Sequence, residues 1–203
     1  MADITLTPPF TETMIRDLHA GDRVTVRGTL FGIRDATQIH LFDRDRHTRF
    51  DLSGHAVIHT APNVRSVPIG PAHPAGYAPV SVGTTTSLRM ERFTRPLLQR
   101  LGVRAIIGKG GLGADSLAAF GTFGGVYLAV VGGAAALETT WIERIDDVDL
   151  DDLNPESLWK FAVRDFGPLL VTMDTHGNDL HEVVRARARH NRTAVLAGLG
   201  VTS

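Results

Sequence analysis

A chain of 203 residues, 43% of them hydrophobic, has enough apolar mass for one packed domain with modest extensions. Its 21 basic and 22 acidic residues leave a formal charge of −1, so no large positive field draws it to DNA, RNA or an anionic membrane. The absence of cysteine excludes disulfides, a thiol nucleophile and any thiolate-held zinc or iron–sulfur site within the chain itself.

Met1 to Phe10 has no basic region followed by an apolar stretch, so it does not read as a secretory signal and a cytoplasmic location is expected. Thr11 is placed to cap a short helix whose apolar side is Met14, Ile15 and Leu18 and whose stop is Gly21. From Asp22 to Phe31, Val24, Val26 and Leu30-Phe31 alternate with Arg23, Thr25 and Arg27, the pattern of a half-buried strand, and Arg34-Asp35 follows where it runs out. Residues 38–54 are charge-rich and predict a surface helix or loop, with a strand after it at Ala56-Val57-Ile58. Pro62 to Pro79 holds five prolines and two glycines and predicts an ordered loop or lid without regular elements.

Val80 to Val82 predicts a strand that delivers the turn Gly83-Thr84-Thr85-Thr86-Ser87-Leu88-Arg89-Met90. A helix follows, capped by Thr94, with Pro96 in its first turn, Leu97, Leu98 and Leu101 on its apolar side and Gly102 as its stop. Arg104 to Ile107 reads as a buried strand, Lys109 to Gly113 as a glycine turn, Ala114 to Phe120 as a helix and Val126 to Val131 as the clearest buried strand. Gly132-Gly133 then turns the chain sharply into a helix at 134–137, which also breaks an apolar run far shorter than the roughly 18 to 20 residues of a membrane helix. Ile142 to Leu150 and Pro168 to Met173 predict strands separated by Glu156 to Val163, and the tail from about 180 to 203 predicts an exposed helix carrying Arg185, Arg187, Arg189 and Arg192. This alternation of strand and helix favours an α/β layer architecture in a single domain, 1–203.

The two turns at 83–90 and 107–113 each offer a cation, Arg89 or Lys109, beside loose amides and hydroxyls, and at one rim of a sheet they would converge on a small acid. A lone lysine in a glycine turn is more often solvated, and an arginine near a helix start is electrostatically poor unless an anion lies between them. Together they favour a carboxylate or phosphate. Gly108-x-Gly110-x-x-Gly113 formally matches a dinucleotide fingerprint, but Lys109 follows the first glycine and no ribose-binding acid stands about 20 residues on. His55-x-x-x-His59 has metal spacing only on a helix, and its intervening Ala56-Val57-Ile58 reads as strand.

With these motifs in place, the chain resembles the β subunit, or carboxy-terminal domain, of the iron–sulfur hydro-lyases that include class I fumarases and L-tartrate dehydratases. The carriers are Arg34-Asp35-Ala36, Phe50-Asp51-Leu52-Ser53-Gly54, the threonine turn, Ile107-Gly108-Lys109-Gly110-Gly111, Val131 to Leu137, and Leu158-Trp159-Lys160 before Asp165-Phe166. The resemblance implies a swivelling β/β/α domain and a partner α subunit that holds a 4Fe-4S cluster, with the substrate bound at the subunit boundary. It also implies Arg34 and Arg89 as carboxylate ligands, Lys109 and Thr86 as further substrate contacts, and Thr85 with Lys109 as the catalytic pair, Thr85 moving the proton. Where the family commonly has histidine four places after the first arginine, this chain has Gln38. The implied reaction is reversible hydration of a C4 or C5 hydroxy-dicarboxylate (fumarate/malate, tartrate or mesaconate/citramalate). Two other readings stand beside it: a dicarboxylate-binding or regulatory module of the same fold, and a nucleotide-dependent oxidoreductase built on the Lys109 turn.

Overall fold

Short apolar runs bounded by glycine become the central strands of this chain, whose computed structural model describes residues 1–200. In order the elements are β1 (Asp3–Leu6), α1 (Glu12–Arg16), β2 (Arg23–Ile33), α2 (Asp35–Phe42), β3 (Ala56–His59), β4 (Asn63–Ser66), β5 (Tyr77–Ser81), α3 (Thr94–Leu101), β6 (Ala105–Gly108), α4 (Ala114–Phe123), β7 (Val126–Ala129), α5 (Ala135–Thr140), β8 (Ile142–Asp149), β9 (Leu158–Met173) and α6 (Leu180–Gly198). Thr11 caps α1 through its side chain, which accepts from the Met14 amide, and Gly102 ends α3 with φ 64°, as their positions in the sequence predict.

The result is a mixed α/β fold. β2, β3, β6 and β7 run parallel, each paired with the next, and β1 extends β2. The long β9 is antiparallel to β7, β8 and β2, so the pairing passes from β2 through β3, β6, β7 and β9 back to β2 and closes a ring. Alternation along the strands sorts their side chains into two cores. Leu30, Ala56, Ile58, Ala105, Ile107, Val126 and Leu128 share one with Trp159 and Phe161, while Phe31, Ile33, Val57, Ile106 and Tyr127 form the other with Leu41 of α2, Leu97 and Leu98 of α3 and Phe120 of α4.

Several expectations are corrected. The proline-rich stretch 62–79 is not free of elements: β4 and β5 form a separate antiparallel pair within and beyond it, with Pro79 tolerated because this two-stranded sheet has open edges. The strand leading into the threonine turn therefore lies outside the main sheet. Thr94 does not cap α3, whose N-cap is Phe93; a 3-10 turn at Ser87–Phe93 runs directly into the helix, and the Thr94 hydroxyl pairs instead with Ser116 Oγ at 2.7 Å. Within 38–54, Gln38 and Leu41 are buried rather than on the surface, because α2 packs on the second core. Glu156 to Val163 is no separating segment, since residues 158–173 make one continuous strand with a different neighbour along each half. In the tail, α6 has no buried residue, and 201–203 lie outside the described residues.

The junction from β9 to α6 is tied down by Asp174, which is fully buried. Its carboxylate accepts from the amides of Ala20 (2.9 Å), His176 (2.9 Å) and Asn178 (3.0 Å) and from Asn178 Nδ2 (2.8 Å). Burial alone would raise this carboxyl, but the donors of Asn178, Ala20 and His176 hold it below the usual carboxylate range. Asp174→Ala strands three backbone donors and is expected to cost about 3 kcal/mol in urea unfolding at pH 7. Because the folded-state pKa is depressed, the wild-type advantage is present above about pH 4 and fades as the pH falls through the folded value. An Asp174→Ala protein as stable as wild type at pH 7 would contradict this role.

Candidate functional site

The parallel strands β2, β3, β6 and β7 all end at one rim of the ring, and the residues that follow them meet there. Arg34 follows β2, His59 ends β3, Lys109 follows β6, and the Gly132-Gly133 turn lies beyond β7. The threonine turn enters from the β4–β5 hairpin and threads between the ends of β3 and β6. Thr84 bridges Thr60, the Thr85 amide donates to the His59 carbonyl at 2.8 Å, the Lys109 amide to the Thr85 carbonyl at 3.5 Å and the Ser87 amide to the Lys109 carbonyl at 3.1 Å. The two turns are thus joined by backbone hydrogen bonds, though one comes from outside the main sheet.

Arg34 and Arg89 converge on one carboxylate. Asp35 Oδ2 lies 2.8 Å from an Arg89 terminal nitrogen and 3.4 Å from Arg34 Nε, and the same Arg89 nitrogen donates to Thr85 Oγ1 at 3.3 Å. Arg34 Nε is also 3.5 Å from Glu156, whose other oxygen accepts from the Ala36 amide at 2.7 Å. Lys109 is half-buried, faces the Gly132 turn and makes no ion pair among the described residues. The structure therefore brings Arg34, Arg89, Thr85 and Lys109 to one rim; Thr86 bridges Lys109 through the ladder and is exposed. Of the chain's 21 cationic side chains only Lys109 and Lys160 are lysines. Position 109 thus carries a compact ammonium in a chain whose cations are otherwise arginine except at Lys160.

Behind these residues lies a buried polar layer that the sequence reading missed. Glu138 on α5 is 1% exposed, and its carboxylate accepts from the Thr84 amide at 3.0 Å. Thr139 holds the Val82 amide at 2.8 Å, and Gly83 permits this contact, since a Cβ there would lie 2.6 Å from that of Ala135. Burial pushes the Glu138 carboxyl up to about 6, against the Thr84 amide and the charge of Lys109. His59 is fully buried with Nδ1 2.9 Å from Ser87 Oγ, and its Nε2 has no partner. Gln38, also fully buried, donates to the Arg34 carbonyl at 3.4 Å from behind the arginine. Asp35 stands in the Arg34-Asp35-Ala36 motif, while Glu138 and Glu156 have no motif around them; the contacts of Glu138 with Thr84 and of Glu156 with Ala36 span 54 and 120 residues.

The Lys109 turn does not present a phosphate cradle to α4. Glu91 occupies that helix start, accepting from the amides of Gly113 (2.7 Å) and Ser116 (2.9 Å), which fills the place a pyrophosphate would take. Among the described residues no group of three His, Asp or Glu gathers to hold a metal, and no helix is long and apolar enough to cross a membrane. A groove of about 780 Å³ between the start of α4 and α6 is lined by Leu112, Leu117, Asn178, Glu182, Val183 and Arg185 among others, and none of the site residues above belongs to it. The convergence of charge, rather than the volume of that groove, marks the site.

Comparison with known proteins identifies the family. The family described as Fumarase C-terminus matches residues 1–184. The chain is 39% identical over 180 residues to a Geobacillus stearothermophilus protein provisionally named fumarate hydratase class I, a match that covers 88% of this chain and 34% of that protein. It is 38% identical over 176 residues to the β subunit of L(+)-tartrate dehydratase from Escherichia coli K12, covering 86% of this chain and 85% of the subunit. A protein of Methanocaldococcus jannaschii provisionally named as the same subunit is 34% identical over 182 residues, covering 87% and 90%. The chain thus spans only about a third of the first relative's length.

The raised Glu138 carboxyl gives a stability signature whose sign follows from linkage. The folded state holds this proton more tightly than the unfolded chain, so the contribution is complete below about pH 4.5 and is lost as the pH rises through about 6. Glu138→Gln keeps an acceptor for the Thr84 amide and removes the titration. The wild-type stability measured against Glu138→Gln should fall by about 1–2 kcal/mol between pH 4.5 and pH 7. A pH-independent difference would remove Glu138 from the buried electrostatics of the site.

Proposed function

Because the chain belongs to the fumarase C-terminus family, we propose that it is the β subunit of a cytoplasmic hydro-lyase that adds water to, or removes it from, a C4 or C5 hydroxy-dicarboxylate. The candidate substrates are fumarate/malate, tartrate and mesaconate/citramalate. One observation carries the reading: two arginines already close on a carboxylate, that of Asp35, beside a threonine hydroxyl and an ammonium that has no ion pair among the described residues. The ring of strands with helices α2, α3 and α4 on one side supports a swivelling β/β/α domain, with residues 1–203 as one unit and the helix after 180 as its tail.

In this reading one substrate carboxylate takes the place that Asp35 holds between Arg34 and Arg89. Their charge-assisted hydrogen bonds then orient the diacid. Lys109 and the exposed Thr86 hydroxyl address the other end of the molecule. In the hydration direction the Thr85 hydroxyl gives its proton to the carbon next to the one that gains the hydroxyl and is left an alkoxide, whose charge the Arg89 hydrogen bond to Oγ1 stabilises; in dehydration that alkoxide takes the proton back. Carbanion-like charge on the substrate is met by the same two arginines and by Lys109. A 4Fe-4S cluster, when bound, supplies a Lewis acid for the departing hydroxyl. This chain has no thiolate for it, so the cluster is assigned to a partner α subunit.

The test is to co-produce the chain anaerobically with a cysteine-bearing α polypeptide and assay the three diacid pairs. One pair should be interconverted, with kcat/KM reduced about 10²- to 10³-fold by Arg89→Ala and by Lys109→Ala. Thr85→Val should lower kcat with little change in KM. A cluster-loaded complex that turns over none of the diacids, combined with dicarboxylate binding by this chain alone, would move the assignment to a binding module.

A further inference from the structure

Ser87 is fully buried where the threonine turn meets its 3-10 turn. Its amide donates to the Lys109 carbonyl at 3.1 Å. Its hydroxyl receives the Tyr127 hydroxyl of β7 at 2.8 Å and lies 2.9 Å from His59 Nδ1 at the end of β3. Gly108, the residue before Lys109, has room only for hydrogen here: a Cβ would lie 1.9 Å from Ser87 Oγ and 2.7 Å from the Tyr127 hydroxyl.

Resting on the hydro-lyase reading, we infer that Ser87 is a positioning residue. Its hydroxyl, gripped by Tyr127 and His59, fixes the threonine turn against the lysine turn so that Thr85, Arg89 and Lys109 address one substrate.

The chain of donors has one consistent direction. Burial pushes the Tyr127 phenol up to about 12, so it stays protonated and donates to Ser87 Oγ. Burial also holds His59 down at about 3, so its ring is neutral. Ser87 must place its own proton, and His59 Nδ1 is the acceptor within reach, which puts the imidazole proton on Nε2 by donor counting. That Nε2 is buried without a partner. An unpaired buried donor is unfavourable, and it is tolerated where Nδ1 completes the link to Ser87. None of the three side chains is exposed to touch a substrate, yet the His59 carbonyl holds the Thr85 amide and the Ser87 amide holds Lys109. Loss of the hydroxyl thus acts on both reacting residues together. A misplacement of about 1 Å at such a site costs on the order of 10²-fold in rate.

The experiment uses Ser87→Ala, Tyr127→Phe and the double variant, each in the complex and in this chain alone. In the complex, each single variant should lower kcat about 10- to 100-fold, change KM less than about threefold, and lose little more in the double variant, as expected of residues acting as one unit. In the chain alone, acetic anhydride labelling followed by mass spectrometry reads Lys109 against Lys160, the second of the two lysines. The Lys109/Lys160 ratio should rise at least threefold in each variant as the lysine turn loosens. Variants that keep both kcat and the labelling ratio within twofold of wild type overturn the assignment, as does a kcat loss that appears only where circular dichroism shows unfolding. A wild-type complex inactive on every diacid, with the labelling ratio still raised in the variants, sinks the hydro-lyase reading and leaves the positioning role of Ser87 standing.

Discussion

The site depends on a strand-like segment that does not belong to its sheet. Parallel strands leave carbonyls and amides open at their ends, and β3 and β6 are neighbours whose ends must be satisfied or hydrated. Residues 84–87 enter this gap and take up the His59 carbonyl and the Lys109 backbone on both sides. The close approach has a steric condition at each flank. Gly83 lets α5 come up behind the turn, and Gly108 lets Ser87 and Tyr127 meet across the end of β6. Once the backbone is locked in this way, Arg89 lies four residues past Thr85 on a 3-10 turn, and its guanidinium reaches back to the threonine hydroxyl. The cation and the hydroxyl are aligned by covalent spacing, with no further tether needed.

Two carboxylates near the cations behave differently, and their burial decides how. Asp35 and Arg34 are each close to 30% exposed and Arg89 is 49% exposed, so their pairing is of the half-solvated kind that contributes at most about 1 kcal/mol. Such a pair holds the two arginines toward one carboxylate at little cost in stability. Glu138 is sealed behind Thr84, where its charge faces Lys109 from the protein side. It sits behind the turn and sets the electrostatic background of Lys109. The arrangement pairs a half-solvated acid in front with a buried one behind.

How much of this was legible depended on whether the signal was local. From residue 94 to 131, helices stop at glycines with positive φ (Gly102 at 64°, Gly124 at 70°) and strands are short apolar runs, so the elements stand out in the sequence. Along β9, Asp165, Gly167 and Pro168 look like punctuation in the sequence. In the structure they lie within one long strand, where register shifts against β2 absorb the irregularity. The β4–β5 hairpin was hidden by its prolines, which a two-stranded sheet tolerates. The cations of the site were legible because each belongs to a short motif. Glu138, Glu156, Tyr127 and the unpaired nitrogen of His59 were not, since ordinary residues become important there only through closure of the ring.

The glycine pattern of the lysine turn shows how a familiar spacing acquires a different cause. In a dinucleotide site Gly108, Gly110 and Gly113 would give the phosphates access to the backbone. Here each crowded glycine faces a protein group instead. Gly108 meets Ser87 and Tyr127, Gly113 lies against the Glu91 carboxylate at 2.9 Å for a hypothetical Cβ, and Gly111, at φ 76°, would place a Cβ 2.6 Å from the His181 ring. His181 sits in the first turn of α6, where Asp179 accepts its amide, and α6 is itself anchored through the buried Asp174. The lysine turn is therefore pinned from inside by the strand ends and from outside by the start of the tail helix. Gly110, by contrast, has only a Thr86 methyl within reach, at 3.7 Å, so the stretch of turn beside Lys109 is the part left open. An open, glycine-lined stretch next to one ammonium and two arginines favours a small acid over a nucleotide.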